Sequence, residues 1–306
     1  MKEINNIIIC GLGAIGTTIG EKILLTSQNA LKVLVDKTRL NKYLKNPRII
    51  NGNTLNFDYI LPEEKNYKAD LILIAVKSNG LKEVLENISN FVTEDTIIIS
   101  LLNGVTSEEI LAERYGWDKI LPAYYIGSSA IRNGEKISHN GIATIVFGAK
   151  NKNQTEKVEK VKTFFKNNNI GYKISDNIER SLWTKFMLNV ACNQLSAILG
   201  LTFKDMQEIK LFKHLAISVM KEVELCAKAY GINNTDTMMD EVFEHIKTIT
   251  PEGKTSMLQD IEAGRKTEVD IFAGSVIEFG ERFNIKTPYN RTLKRLINSL
   301  EQKALS

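Results

Sequence analysis

The chain has 306 residues, of which 43% are hydrophobic and 25% are charged, and its formal net charge is +4. This length accommodates two domains of ordinary size, and the composition is that of a globular protein. No apolar run approaches the ~20 residues that a membrane-spanning helix needs, and the N-terminus lacks the pattern of a signal peptide. The mild charge gives no indication of nucleic-acid binding. We therefore expect a cytoplasmic enzyme or binding protein without a membrane or nucleic-acid partner.

The three cysteines are scattered, odd in number and embedded in apolar sequence. Such cysteines are typical of small core residues rather than of disulfides or metal ligands. The three histidines form no motif with spaced carboxylates or cysteines, so the sequence predicts no metal site.

Strand-like and helix-like segments alternate through the first half of the chain. The predicted strands are residues 7–10, 31–35, 70–76, 96–102, 120–125, 144–148 and 170–174. The predicted helices are residues 14–25, 80–90, 106–115 and 154–168. Short buried strands that alternate with helices indicate a doubly wound, mainly parallel sheet.

The strand signal disappears after about residue 175. Helical periodicity covers residues 178–200, 207–230, 235–248, 251–263 and 267–283. Gly231 is a candidate helix C-cap, and Thr267 with Asp270 resembles a capping box. We therefore expect an α/β domain over residues 1–174 and an all-helical domain over residues 175–306.

A glycine-rich turn directly follows the first predicted strand and opens a helix. It reads Gly11, Leu12, Gly13, Ala14, Ile15 and Gly16. In this context Gly11 permits the tight turn, Gly13 lets a pyrophosphate approach the backbone, and Gly16 lets the helix pack on the sheet. The helix N-terminus supplies N–H donors and a favourable dipole for phosphates. A turn that serves the fold alone is the alternative.

The end of the second strand carries conflicting signals about the cofactor. Asp36 lies where an acidic residue holds the ribose 2′-hydroxyl of NAD. Lys37 and Arg39 follow it, and cations at this place pair with the 2′-phosphate of NADP. Position alone leaves both cofactors open.

Two polar residues follow further predicted strands. Lys77 lies at the end of one strand and Asn103 at the end of another. Ligands of open α/β sheets bind at these strand ends. Taken singly, a surface lysine and a turn asparagine are equally good interpretations.

The apolar helix over residues 183–199 carries an unexpected polar stripe. Lys185, Asn189, Asn193 and Ser196 follow one another at spacings that place them on one face. Lys185 is the only charged residue between Arg180 and Lys204. The stripe is either a polar seam satisfied by another helix or a surface that faces a polar ligand.

A further candidate region spans residues 255–270. Ser256 lies in the first turn of one predicted helix, and Glu268 begins the next. Taken singly, each of them is better interpreted as a capping or solvent-facing residue.

In combination these motifs resemble the ketopantoate reductases (2-dehydropantoate 2-reductases), over almost the whole chain. The resemblance rests on GLGAIG, AVK, LLNGV, WTKFMLNVACN and TSMLQDIEAGRKTEVD. It implies a Rossmann domain followed by a helical substrate domain. It also implies NADPH-dependent reduction of 2-dehydropantoate to pantoate, a step of pantothenate and coenzyme A synthesis.

Hydride delivery to a ketone builds negative charge on the carbonyl oxygen, which must then be protonated. Lys185 is charged at pH 7 and is predicted to be the general acid, with Glu268 as its partner. Neutral hydrogen bonds to the substrate are expected from Ser256, Asn189 and Asn193. The remaining predicted contacts are Asn103 bridging cofactor and substrate, Glu268 near the cofactor, Lys77 near its ribose or pyrophosphate, and Lys37 near its 2′-phosphate.

Two departures from the family pattern leave alternatives open. Gly253 stands where the family often has an asparagine that touches substrate, and it leaves room for a water or a bulkier acid. Lys37, preceded by Asp36, stands where an arginine often binds the NADP phosphate. A reductase of a different 2-keto acid and a non-catalytic NADP(H)-sensing protein are therefore the alternatives. The oligomeric state is open, a homodimer included.

Overall fold

The computed structural model describes residues 3–26, 30–127, 131–139 and 143–305. The chain forms two compact units. One comprises Met1–Leu102 and Thr106–Ile178, and the other comprises Asn103–Val105 and Glu179–Ser306. Within the described residues, no helix is both long enough and apolar enough to cross a membrane.

A five-stranded parallel sheet is the centre of the first unit. Its strands are β1 (Asn6–Cys10), β2 (Ala30–Leu34), β5 (Asp58–Ile60), β6 (Leu71–Ile74) and β7 (Ile97–Ser100), in the spatial order β5-β2-β1-β6-β7. The helices of this unit are α1 (Ala14–Thr26), α2 (Lys37–Lys45), α3 (Leu81–Asn87), α4 (Ser107–Tyr115) and α5 (Thr155–Asn167). Buried isoleucines, leucines and valines cover both faces of the sheet in two separate clusters. The predicted doubly wound fold is confirmed.

The other strands of this unit form two smaller sheets. The first has the order β4-β3-β10-β9, and the second the order β12-β11-β8. Their bounds are β3 (Arg48–Ile50), β4 (Asn53–Leu55), β8 (Ala123–Ile126), β9 (Ile131–Asn133), β10 (Lys136–Ser138), β11 (Thr144–Phe147) and β12 (Tyr172–Ile174). The strands predicted near residues 120, 144 and 170 therefore exist, but they form a separate sheet in which β11 pairs antiparallel with β8.

The hairpin β3–β4 was not predicted, although the sequence contains its signal. Asn51 and Gly52 connect the two strands with φ values of 45° and 90°. Positive φ at both central positions is the requirement of the hairpin turn that Asn-Gly favours. The flanking strands have only three residues each, which is too short for a pattern of alternating hydrophobicity.

The regular secondary structure that the described residues of the second unit form is helical, as predicted. Its helices are α6 (Ile178–Leu188), α7 (Gln194–Leu199), α8 (Phe203–Glu208), α9 (Lys210–Tyr230), α10 (Met238–Thr248), α11 (Ser256–Glu262), α12 (Ser275–Phe283) and α13 (Pro288–Leu305). Gly231 ends α9 in the left-handed region with φ of 106°, so the predicted C-cap is confirmed. Helix α13 was not predicted.

Two π-helical turns interrupt the predicted helices of this unit. One covers Asn189–Asn193 between α6 and α7, and the other covers Asp270–Gly274 before α12. The two turns lie in contact with each other. Such turns insert an extra residue into a helix and are frequent at functional sites. A periodicity of 3.6 residues does not reveal them.

The predicted capping box of Thr267 and Asp270 is wrong. The Thr267 hydroxyl instead donates to Glu301 Oε1 at 2.6 Å and accepts the Val269 N–H at 3.3 Å. At the start of the π-helical turn, the N–H groups of Ile271 and Phe272 donate to the carbonyl of Glu268. The Thr267 hydroxyl is therefore bonded to Glu301 on α13 and does not cap the helix that follows it.

Candidate active site

The glycine-rich turn lies at the switch point of the parallel sheet. Strand β1 is central, and the chain crosses to β2 on one side and later to β6 on the other. Ligands of doubly wound sheets bind where the strand order reverses in this way. Gly11 directly follows β1, with φ of 102°.

The three glycines have different reasons to lack a side chain. A Cβ on Gly11 would lie 2.7 Å from the carbonyl oxygen of Ala75, and one on Gly16 would lie 2.0 Å from that of Gly11. The fold itself thus requires both residues. A Cβ on Gly13 would meet nothing closer than 3.9 Å, so packing leaves this glycine free. A bare backbone at an open position beside a helix N-terminus fits the pyrophosphate of a dinucleotide.

The charged residues at the end of β2 form ion pairs with each other. Asp36 caps α2 by accepting the Arg39 N–H at 2.7 Å, and its other oxygen lies 2.9 Å from the Arg39 guanidinium. The guanidinium also binds both carboxylate oxygens of Glu83 on α3, at 2.5 and 3.2 Å. Lys37 pairs with Glu63 at 3.2 Å. Each cation predicted to hold a 2′-phosphate is therefore already opposite a carboxylate.

Lys77 is exposed three residues beyond the end of β6, at the start of a short 3₁₀ turn. The strand predicted over 70–76 ends earlier, at Ile74. The Lys77 side chain forms no hydrogen bond or ion pair with the residues that the structure describes, which leaves its ammonium available to an anion.

Asn103 joins the helical unit through its side chain. Its Nδ2 donates to Glu268 Oε2 at 2.7 Å, and its Oδ1 lies 3.4 Å from Nδ2 of Asn189. Three residues predicted for the site thus form one chain of hydrogen bonds, although they come from distant parts of the sequence. A carboxylate that accepts an amide N–H in this way is oriented and remains an acceptor for further donors.

The backbone explains why Asn103 reaches Glu268. Gly104 follows it with φ of 100°, and a Cβ there would lie 2.9 Å from the Ile271 side chain in the second π-helical turn. Only glycine combines this conformation with so close an approach. Asn189 begins the first π-helical turn, and Glu268 lies two residues before the second. The two turns therefore present the two partners of Asn103.

Lys185 lies one helical turn before Asn189 on the same helix. Burial lowers the pKa of its ammonium from 10.5 to about 8. It forms no ion pair within the described residues, so Glu268 is paired to Asn103 and not to Lys185 in this structure. Burial, and secondarily the Lys185 charge, lowers the pKa of His245 on α10. The sequence predicts no metal site at His245 and contains no signal that connects this residue to Lys185.

The polar stripe divides into two parts. Ser196 is fully buried, donates to the carbonyl of Asn193 and hydrogen-bonds the Thr255 hydroxyl. It therefore belongs to a satisfied seam between helices. Asn189 and Asn193 remain 6% and 7% exposed, and the Asn193 amide forms no side-chain hydrogen bond among the described residues. Asn189 is thus bonded to Asn103, and the Asn193 side chain keeps its hydrogen-bonding capacity.

Ser256 is exposed as the first residue of α11. Thr255 is the N-cap of this helix, with its hydroxyl accepting the Leu258 N–H. Helix α11 packs against α7 and the first π-helical turn. The Ser196–Thr255 hydrogen bond thus ties the helix of Ser256 to the helix of Asn193.

A buried network supports the first π-helical turn and was missed in the sequence. Gln194 Nε2 donates to the carbonyl of Val190 within the turn and to Asn290. Asn290 in turn donates its amide to Glu222. Such turns leave backbone groups without helical partners, and here a glutamine side chain takes up one of them. Polar residues in an apolar helix are the only signal that could have indicated this network.

Two family models match the chain over most of its length. The model described as "Ketopantoate reductase PanE/ApbA" matches residues 7–152, and its C-terminal counterpart matches residues 177–301. The chain belongs to the ketopantoate reductase family. This confirms the resemblance that the sequence motifs indicated.

Individual relatives of the family cover nearly the whole chain. A 2-dehydropantoate 2-reductase of Pyrococcus abyssi is 29% identical over an alignment of 301 residues. The alignment covers 96% of this chain and 97% of the relative. A D-mandelate dehydrogenase solved with NADH and anilino(oxo)acetate has a TM-score of 0.86 at 21% identity, covering 98% and 99%. A dimeric ketopantoate reductase of Staphylococcus aureus has a TM-score of 0.74 at 20% identity, covering 97% and 99%. The chain is thus an oxidoreductase-family protein with a Rossmann-like fold.

Gly253, the departure from the ketopantoate reductase pattern, lies in a tight turn. Its N–H donates to the carbonyl of Thr250, and a Cβ would lie 3.1 Å from that oxygen and 3.2 Å from the ring of Phe203. A side chain at this position would therefore crowd the Thr250 carbonyl and the Phe203 ring. The expectation that the glycine leaves room for a bulkier acid stays a prediction.

Proposed function

We propose that this protein is an NADPH-dependent 2-dehydropantoate 2-reductase that forms pantoate for pantothenate and coenzyme A synthesis. The observation that carries the proposal is the chain of hydrogen bonds from Asn189 through Asn103 to Glu268. Asn189 lies one helical turn after Lys185. These are the residues by which the sequence resembles the family. The three hydrogen-bonded residues come from distant segments of the chain, and catalysis by this set requires them to meet.

The glycine-rich turn and the cations near it are proposed to hold the cofactor. Gly13 offers an open backbone position for the pyrophosphate beside the N-terminus of α1, whose first N–H groups have no helical partner. Lys77 is proposed to bind the cofactor ribose or phosphate, and Lys37 and Arg39 the 2′-phosphate. When bound, the reduced nicotinamide supplies a hydride to the keto carbon.

Lys185 is proposed to protonate the oxygen of the substrate. Its Nζ holds the proton until negative charge develops on the carbonyl oxygen, and burial has already lowered its pKa to about 8. A catalytic acid works best with a pKa near the operating pH, since it is then protonated and still gives up its proton readily. Glu268, oriented by Asn103, accepts a hydrogen bond from the substrate hydroxyl. Polar contacts to the substrate are assigned to Asn189, Asn193 and Ser256.

The test is NADPH oxidation at 340 nm against a panel of 2-keto acids that includes 2-dehydropantoate. We expect the highest kcat/KM for 2-dehydropantoate. A different best acid would replace the substrate and keep the reaction type. Tight NADPH binding without turnover on any acid would favour a NADP(H)-sensing protein instead.

Reduction of a different 2-keto acid is the second candidate. It is favoured by Gly253, which supplies no side-chain amide at this position, and the structurally similar D-mandelate dehydrogenase was solved with NADH and anilino(oxo)acetate. Phenylglyoxylate in the same panel, with NADH and NADPH in parallel, distinguishes the two candidates. As for the S. aureus relative, we propose a homodimer, which light scattering after size-exclusion chromatography tests.

A further inference from the structure

An arginine at the end of β2 is shared by two carboxylates. The Arg39 guanidinium binds Glu83 with two parallel contacts of 2.5 and 3.2 Å and lies 2.9 Å from Asp36. Such two-pronged contacts fix the plane of a guanidinium as well as neutralise it. Side-chain hydrogen bonding to Glu83 raises the pKa of Arg39 further above its ordinary value. Arg39 is therefore charged, held in one orientation and already bonded to Glu83 and Asp36.

The stability of the fold does not explain this cluster. The side chains of Arg39, Asp36 and Glu83 are 49%, 37% and 41% exposed. Ion pairs with this exposure contribute little to folding, on the order of 0–1 kcal/mol. The same exposure makes the guanidinium accessible to a ligand phosphate. The end of the second strand is also where the adenosine ribose lies in dinucleotide-binding sheets.

The local charge balance does not favour a phosphate. Two cations, Lys37 and Arg39, face three carboxylates, Asp36, Glu63 and Glu83, so the ion-paired group carries a net charge of −1. A 2′-phosphate that arrives here must take Arg39 from Glu83. A ribose with a free 2′-hydroxyl needs only an acceptor, which Asp36 supplies.

We propose that Glu83 is the residue that sets the margin by which this protein discriminates NADPH from NADH. Its carboxylate competes with the 2′-phosphate for Arg39 and thereby weakens NADPH binding, while NADH binding is indifferent to it. The inference rests on the proposed dinucleotide site but not on the identity of the keto acid.

The test is the dissociation constant of NADPH and of NADH, measured by nucleotide fluorescence on the intact protein without keto acid. Glu83→Gln keeps the size of the side chain and removes the charge. We expect it to tighten NADPH binding about tenfold, the effect of one charge-assisted hydrogen bond, and to leave NADH binding within about twofold. Adding Arg39→Gln to this variant is expected to abolish the gain.

Glu86→Gln is the matched control. Glu86 lies on the same helix, pairs with Arg114 at 3.3 Å and is 70% exposed, so the variant changes the net charge equally. We expect no change in either constant. A gain for NADPH equal to that of Glu83→Gln would reduce the effect to overall charge and overturn the proposal.

The other outcomes also decide. Weaker NADPH binding by Glu83→Gln would mean that Glu83 orients Arg39 toward the phosphate, and an unchanged constant would mean that Arg39 does not meet it. A gain that survives Arg39→Gln would place the effect outside the Glu83–Arg39 pair. Each of these overturns the proposal while turnover of 2-dehydropantoate stands. Failure of every variant to bind either nucleotide overturns both, whereas the expected shifts without turnover overturn only the proposed function.

Discussion

The candidate sites of the two units consist of different chemical groups, backbone in the first unit and side chains in the second. In the first, the ligand-facing feature is bare backbone: Gly11 and Gly16 are dictated by packing, and Gly13 is left open. In the second, the feature is a set of side chains, with Asn103 bonded to a carboxylate 165 residues away. A backbone site is specified by a short local motif, whereas a side-chain site depends on how distant helices pack.

The largest effect is expected from Lys185, which tests whether the side-chain site is catalytic at all. Removing a general acid costs about 10²–10⁴-fold in rate, so Lys185→Ala should lose that much kcat. NADPH affinity should stay nearly unchanged, because Lys185 is not among the residues proposed to hold the cofactor. Steady-state kinetics and nucleotide titration on one preparation measure both.

Lys228→Ala, an exposed lysine near the end of α9, is the control for this variant and should behave like the wild type. A lysine that merely satisfies a helix seam would show the reverse pattern. Its truncation would change the melting temperature and leave turnover per folded molecule intact. That result would remove Lys185 from the catalytic machinery.

The next effect concerns the Asn103–Glu268 hydrogen bond. A hydrogen bond to a charged group contributes about 1.5–3 kcal/mol, so Asn103→Ala should lower kcat/KM by roughly 10- to 100-fold. Asn103→Asp should be worse than Asn103→Ala, because it places a second carboxylate where 2.7 Å now separates an amide from Glu268. Equal losses in the two variants would show that charge at this contact is irrelevant to turnover.

The third effect concerns folding stability in the first unit and leaves turnover unchanged. Glu108 is 4% exposed on α4, accepts from the Ser107 hydroxyl at 2.9 Å, and its Oε1 has no partner among the described residues. Burial raises the pKa of this carboxyl from 4.5 to about 7. As pH rises through this interval, the unfolded chain loses the proton while the folded chain keeps it. Folding stability therefore falls with pH in this window, by about 3 kcal/mol in total.

Glu108→Gln removes this titration, and Glu113→Gln, exposed on the same helix, does not. Denaturant unfolding at pH 4.5, 6 and 7.5 measures the difference. We expect the pH dependence of the Glu108→Gln variant to be flatter than that of the wild type and of the control. Parallel curves for all three proteins would mean that Glu108 ionises normally in the folded state.

The sequence predicted the first unit well where the physics is local. The apolar strands, the glycine turn and its following helix depend on neighbours within a few residues, and all appear in the structure. The strands of three residues did not show a period, and the Asn51–Gly52 turn was the only available signal for one hairpin.

The helical unit was predictable in its elements and not in its interruptions. The π-helical turns at 189–193 and 270–274 leave the 3.6-residue period intact on either side, so the sequence pattern does not reveal them. In the first turn, the Gln194 side chain takes up the Val190 carbonyl. Thr267 fits a capping pattern but is drawn to Glu301 on another helix. Likewise, Arg39 fits a phosphate site, and only the structure reveals that Glu83 engages it. A sequence motif predicts which residue type stands at a position, but the role of Thr267 or Arg39 depends on the distant side chain that bonds it.

The pH dependence of kcat tests the central claim most directly, with 2-dehydropantoate and NADPH both saturating. A general acid must be protonated to act, and burial places the pKa of Lys185 at about 8 rather than 10.5. We predict a constant kcat below pH 7 and a loss that approaches tenfold per pH unit above about 8. The residual activity of Lys185→Ala should lack this transition. A wild-type rate that stays constant to pH 10 would contradict the assignment of Lys185 as the acid.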